Sequence, residues 1–243
     1  MISIFNTILF EPLHNALTFL VSVIPGGDVG VAIIVLTIIV KLILFPLTQK
    51  SIESNRKMKM IEPELAKIKE EFKDKKEEQA KKTFELYKKY KINPFAGCLI
   101  ILIQLPIIIA LYYVFLKGID FSTGNFYSFI NPPEVVNMNF LGLIDMQAKS
   151  LILAILAAVS QFFQTRLSMP QLAPKTGKEE GFAGSLKRSM DLQMRYFLPV
   201  FIGIVAYQVQ AAVALYWVIS NLFTIGQELI LKPWKKQNEQ LKS

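Results

Sequence analysis

Uncharged apolar blocks alternate with charged ones along this chain, and the apolar blocks have about the length of a bilayer crossing. A spanning helix takes about 20 apolar residues. The stretch 29–47, VGVAIIVLTIIVKLILFPL, reaches that length with one charge, Lys41. The stretch 95–116 has no charge, and its Pro106 is tolerable in a membrane helix because neighbouring groups satisfy the freed carbonyl. A third segment, 150–167, has only the residues 150–165 between Lys149 and Arg166 and holds Ser160, Gln161 and Gln164, so hydropathy alone leaves it marginal. Residues 196–227 are uncharged over about 48 Å as one helix, beyond a hydrocarbon core of about 30 Å. The polar break at 207–210 divides that stretch into two crossings, 196–208 and 211–231, the first short enough to thin the bilayer locally.

Outside these blocks the periodicity changes. Leu9, Leu13, Ala16, Leu17, Leu20 and Ile24 recur at helical spacing, which predicts an amphipathic helix within 1–28 lying in the membrane interface. A signal peptide does not fit, because the stretch lacks a basic start and an A-x-A site and is interrupted by Glu11, Pro12, His14 and Asn15. In 48–93, Ile61, Leu65, Ile68 and Phe72, then Ala80, Phe84 and Tyr87, step by three and four. Asp74, Lys75 and Lys76 separate the two runs, so the segment reads as an antiparallel helical hairpin with Pro63 near its start.

Composition agrees with a membrane protein. Of 243 residues, 52% are hydrophobic and 19% charged, with a mean hydropathy of +0.39, unlike a soluble domain. The net charge of +8 matters through its placement. Of the 27 Lys and Arg, 24 fall in 48–93, at Arg166, in 168–195 and in the tail 232–243, whereas 1–28, 117–149 and the turn at 207–211 hold only Lys117 and Lys149. The positive-inside rule therefore predicts an all-α membrane protein with five transmembrane helices, the N-terminus and 117–149 outside, and the hairpin and C-terminus in the cytoplasm. Omitting the third span would move a basic loop outside, so it is retained.

The chemistry is sparse. One cysteine and one histidine are too few for an internal disulfide or an ordinary metal or haem site. Nucleotide-binding and nucleophile-elbow motifs are missing as well, so neither an enzyme nor a cofactor is expected. No predicted span carries Asp or Glu before Glu228, which argues against a proton-coupled pump. Lys41 is the exception to apolar spans. Either its stem snorkels past Pro46 to the headgroups, or its charge faces a polar, water-filled groove. Polar residues that could share such a groove are Thr37, one turn away, Gln104, Gln161, Gln164, and Ser220, Asn221, Thr224 and Gln227 in the last span; each is equally compatible with plain helix–helix hydrogen bonding. The charge-rich hairpin reads either as a solvated connector or as a docking arm, and its lysines suit RNA phosphate and acidic lipid alike. Met58, Met60, Met169, Met190 and Met194 fit packing or an adaptable client surface.

Several motifs together resemble a known family. INPFAGCLIILIQLPIIIALYYVF (92–115), VLTIIVKLILFPLTQKS (35–51), FLGLID (140–145) and LYWVISNLFTIGQ (215–227) are similar to the YidC family of bacterial membrane protein insertases, related to mitochondrial Oxa and chloroplast Alb proteins. The likeness implies a five-helix core with an interfacial helix, a cytoplasmic hairpin and a hydrophilic groove. It implies nascent membrane proteins as clients, a ribosome and a Sec translocon as candidate partners, and the bacterial cell membrane as the location. The family's groove cation, usually arginine, falls on Lys41, its polar client contact on Thr37, and its aromatic pair on Tyr216 and Trp217. Only the core is expected, without a large periplasmic domain or a lipoprotein-type cysteine. Lysine for arginine, Ile100 for a common proline, and residues 209–212 in place of a Phe-Pro-Ala-Gly turn depart from the pattern. A small channel or transporter using the same groove, and a scaffold that docks ribosomes, are the rival readings.

Overall fold

The computed structural model describes residues 5–93, 96–116, 126–168 and 192–231. Parts of the expected loops 117–149 and 168–195, and the tail 232–243, lie outside the described residues.

A π-helical turn, Asn6–Phe10, leads into α1, Glu11–Val23. Its buried face carries Leu13, Leu17 and Val21, spaced four apart, so one stripe of the helix packs on the core. Two further buried groups of α1, both polar, are satisfied locally: Asn15 Nδ2 donates to the Glu11 carbonyl and Thr18 Oγ to the His14 carbonyl. The chain then turns through Pro25–Gly27, where a Cβ on Gly27 would stand 2.1 Å from the Val135 carbonyl oxygen. Only glycine fits so close an approach.

Asp28 caps α2, Val29–Ile43, by accepting from the Val31 N–H at 3.0 Å. The straight helix that 29–47 suggests stops at Ile43 and bends by 65° into α3, Phe45–Met60. Pro46 explains the break, since it has no N–H to donate and its ring crowds the Leu42 carbonyl. Two charged helices follow, α4, Glu62–Glu71, and α5, Lys76–Lys89. Gln79 donates to the Lys69 carbonyl near their junction and Tyr90 to Glu64 at their far ends. Ile61, Leu65, Leu86 and Ile92 form a small separate core there. The α5 register differs from the periodicity reading by about one residue: Leu86 is buried, while Phe84 is 60% exposed.

Helix α6, Ala96–Leu116, carries Pro106 within it. A short antiparallel pair, β1 (Asn139–Phe140) and β2 (Ile144–Asp145), precedes α7, Leu151–Ser168. A second π-helical turn, Gln193–Phe197, opens α8, Leu198–Gln208, and α9, Ala211–Ile230, completes the described bundle. Gly203 lets α8 lie against α7, because a Cβ there would meet that of Ala158 at 2.9 Å. The central helix is α9, whose Ala211 to Tyr216 run is entirely buried.

The ends of the bundle are tied differently. At one end the Val29 N–H donates to the Asn137 carbonyl, and the Ala211 and Ala212 N–H groups donate to those of Ala148 and Met146. Helices α2, α7 and α9 therefore start together and run parallel. Among the described residues, α7 and α9 are long and apolar enough to cross a bilayer, and the bent α2–α3 pair makes a third span if it is one crossing. Helix α6 is 21 uncharged residues long, whereas the 11 residues of α8 rise only about 16 Å.

Candidate functional site

Lys41 sits in the last turn of α2, only 6% exposed. Its position follows from the apolar repeat of that helix, which buries Ala32, Ile33, Leu36 and Thr37 on the face it shares. The side chain turns inward, and its Nζ donates to Gln104 Oε1 of α6 at 3.3 Å and to Thr224 Oγ of α9 at 3.4 Å. Gln104 continues the chain of contacts by donating from Nε2 to the Tyr216 hydroxyl. Three helices thus converge on one ammonium. Among the described residues no carboxylate lies within ion-pair distance of it, so its compensation comes from neutral acceptors.

Other residues singled out from the sequence lie elsewhere. Thr37 is buried on the same face, but its hydroxyl donates back to the Ile33 carbonyl at 2.6 Å. Asn221 donates to Ser160 of α7 at 3.1 Å. Gln161 reaches Gln164 and Thr165, and Gln164 reaches Ser168, so this pair forms a ladder along α7. Trp217 is half-buried against the apolar core. Of the residues singled out from the sequence, Lys41, Gln104, Tyr216 and Thr224 are the ones that gather around the ammonium, Thr224 standing on the four-residue step Tyr216, Ser220, Thr224 along one face of α9.

The polar track continues towards the far end of the bundle. Gln227 Nε2 donates to Thr48 Oγ of α3 at 3.0 Å, and Ser168 donates to the buried carboxylate of Glu228. Two cations of α3 bind helix ends. Both terminal nitrogens of Arg56 donate to carbonyls of α9, at Glu228 and Leu231, and Lys59 donates to the Leu167 carbonyl of α7 at 2.8 Å. These are the C-terminal turns, where unpaired carbonyls and the helix dipole favour positive charge. Nothing in the local pattern of α3 signalled this role, because its partners lie more than a hundred residues away.

Residues 19–239 match the family described as 60Kd inner membrane protein. Three relatives named membrane protein insertase YidC come from Francisella tularensis: subsp. novicida (strain U112), subsp. tularensis (strain SCHU S4 / Schu 4) and subsp. holarctica (strain LVS). Each is 31% identical over 231 residues, which cover 95% of this chain and 36% of the relative. The chain therefore spans little more than a third of the length of these relatives.

Proposed function

The chain belongs to the 60Kd inner membrane protein family, and we propose that it is a membrane protein insertase, passing newly made hydrophobic segments from the cytoplasm into the bilayer. The observation that carries this reading is the buried Lys41 ammonium, held by neutral side chains from α6 and α9. A cation in that setting gains from an added anion, because hydrogen bonds to charged partners are stronger than those between neutral ones. The acidic flank of an incoming segment supplies one. At 4 Å and an effective dielectric near 20 such a pair is worth about 4 kcal/mol before desolvation is subtracted.

The step needs no covalent chemistry. The polar flank of the client lodges beside Lys41, Gln104, Tyr216 and Thr224, while Thr37, Trp217, Asn221, Gln161 and Gln164 line its approach. Each Leu, Ile, Phe or Val of the client then favours the lipid by about 0.3–0.6 kcal/mol. A membrane potential positive outside adds about 2.3 kcal/mol per 100 mV for each negative charge carried outward. The short α8 thins the bilayer and shortens the path.

In the proposed topology five helices cross the bacterial cell membrane at 29–47, 95–116, 150–167, 196–208 and 211–231. The segment 1–28 lies on the outer surface and the C-terminus is cytoplasmic. The α4–α5 pair then stands in the cytoplasm as a helical hairpin whose lysines meet a ribosome that is delivering the chain. Purified protein in vesicles tests the function: a single-spanning client with an acidic N-terminal flank becomes protease-protected only in vesicles that contain it. Equal protection in empty vesicles removes the proposal.

A further inference from the structure

The turn joining β1 to β2 carries leucines where both backbone and water disfavour them. The Leu143 N–H donates to the Phe140 carbonyl at 2.9 Å, closing a four-residue β-turn with Leu141 and Gly142 at its centre, within the three-residue loop that the Phe140–Ile144 pairing leaves. Both central residues have positive φ, 50° and 72°. That is the pattern of a type I′ hairpin turn, for which Asn-Gly is the favoured pair. Glycine satisfies the second position. At the first stands a leucine, which resists the left-handed conformation and lies 66% exposed, beside Leu143 at 83%. A turn that faced water would gain on both counts from asparagine.

The tip is firmly placed. The Leu141 N–H donates to Asp28 Oδ2 at 2.9 Å, so the carboxylate that caps α2 also holds the turn. The Phe140 ring lies against Gly30, and the Met146 N–H donates to the Met138 carbonyl. These contacts fix the two leucines at the end where α2, α7 and α9 begin, the level at which membrane-crossing helices emerge from the lipid. Polar residues, Asn139, Asp145 and Gln147, stand exposed behind the tip. The apolar surface continues into the first turns of α7, where Leu151 and Ile152 are exposed.

We propose that Leu141 and Leu143 form a lipid anchor that inserts into the boundary between headgroups and acyl chains of the adjacent leaflet and sets the height of this end of the bundle. Continuity with the lipid-facing surface of α7 selects lipid over a protein partner. The inference needs only that these helices cross a membrane, so it stands apart from the insertase reading.

Electron paramagnetic resonance tests it. A nitroxide is placed at Leu143→Cys in a Cys98→Ala chain, and a second chain carries it at Gln147→Cys. Both are reconstituted in vesicles of phosphatidylethanolamine and phosphatidylglycerol. Relaxation by oxygen is expected to exceed that by a water-soluble nickel chelate at 143, with the reverse at 147. Introducing Leu141→Asn, which suits the turn, is expected to shift the 143 label towards the nickel reagent. Preferential nickel relaxation at 143 overturns the anchor, as does spin–spin broadening that vanishes on dilution with unlabelled protein, which would assign the tip to a second copy of the chain.

Discussion

The Lys41 ammonium and the Thr224 hydroxyl, 183 positions apart in the chain, meet at 3.4 Å inside the bundle. Together with Gln104 they give a lone buried charge its only hydrogen-bond acceptors among the described residues. The consequence for stability is asymmetric, because removing an acceptor strands the charge, whereas removing the charge as well strands little.

Thr224→Val and Gln104→Leu are each expected to lower stability by about 1–3 kcal/mol. In a Lys41→Met chain the same substitutions are expected to be close to neutral. Thermal unfolding in nanodiscs of the four chains of each cycle measures the difference. An equal loss in both backgrounds would show that the hydrogen bonds to Lys41 contribute nothing.

Arg56 closes the last turn of α9 through two carbonyls. Arg56→Ala is expected to cost about 1–3 kcal/mol locally, with faster amide hydrogen exchange over 227–231. Arg56→Lys restores part of this protection, since an ammonium lacks the planar fork that spans two acceptors. Unchanged exchange in the alanine chain would mean that the helix end is held without the guanidinium.

Gly30 gives Phe140 its seat on α2. A Cβ at 30 would lie 2.3–2.6 Å from three Phe140 side-chain carbons, so Gly30→Ala is expected to push β1 off the helix and destabilise by about 1–3 kcal/mol. Adding Phe140→Ala removes the clash, and the double variant is expected to lose less than the two single losses combined. Additive losses in thermal unfolding would place the strain elsewhere.

The parts of this structure that were legible in the sequence are those with a local signature. The buried stripe of α1 follows the repeat of Leu13 and Leu17, and the polar face of α9 follows Ser220, Thr224 and Gln227. Lys41 stood out because a cation in an apolar run has few alternatives to a buried partner or a snorkelling stem. The bend at Leu44 was hidden by the apolar residues on either side of Pro46, which make 29–47 read as one straight span. Register in α5 was ambiguous because Phe84 and Leu86 are both apolar, and only packing against Leu65 selects between them. Gln161 and Gln164 stand out in the sequence as polar residues of an apolar span, whereas their hydrogen bonds to Thr165 and Ser168 one turn on depend on side-chain rotamers that composition does not specify. The helix-end contacts of Arg56 and Lys59 join segments far apart in the chain, for which periodicity holds no signal.

Charge at position 41 is the central claim, and comparing two substitutions there tests it most directly. In vesicles with matched protein content, Lys41→Arg is expected to insert an acidic-flanked client as well as the parent chain does. Lys41→Glu is expected to fall well below it, and to lose less on a client whose flank is neutral. Equal insertion of the acidic client by the arginine and glutamate chains would contradict a role for the buried cation.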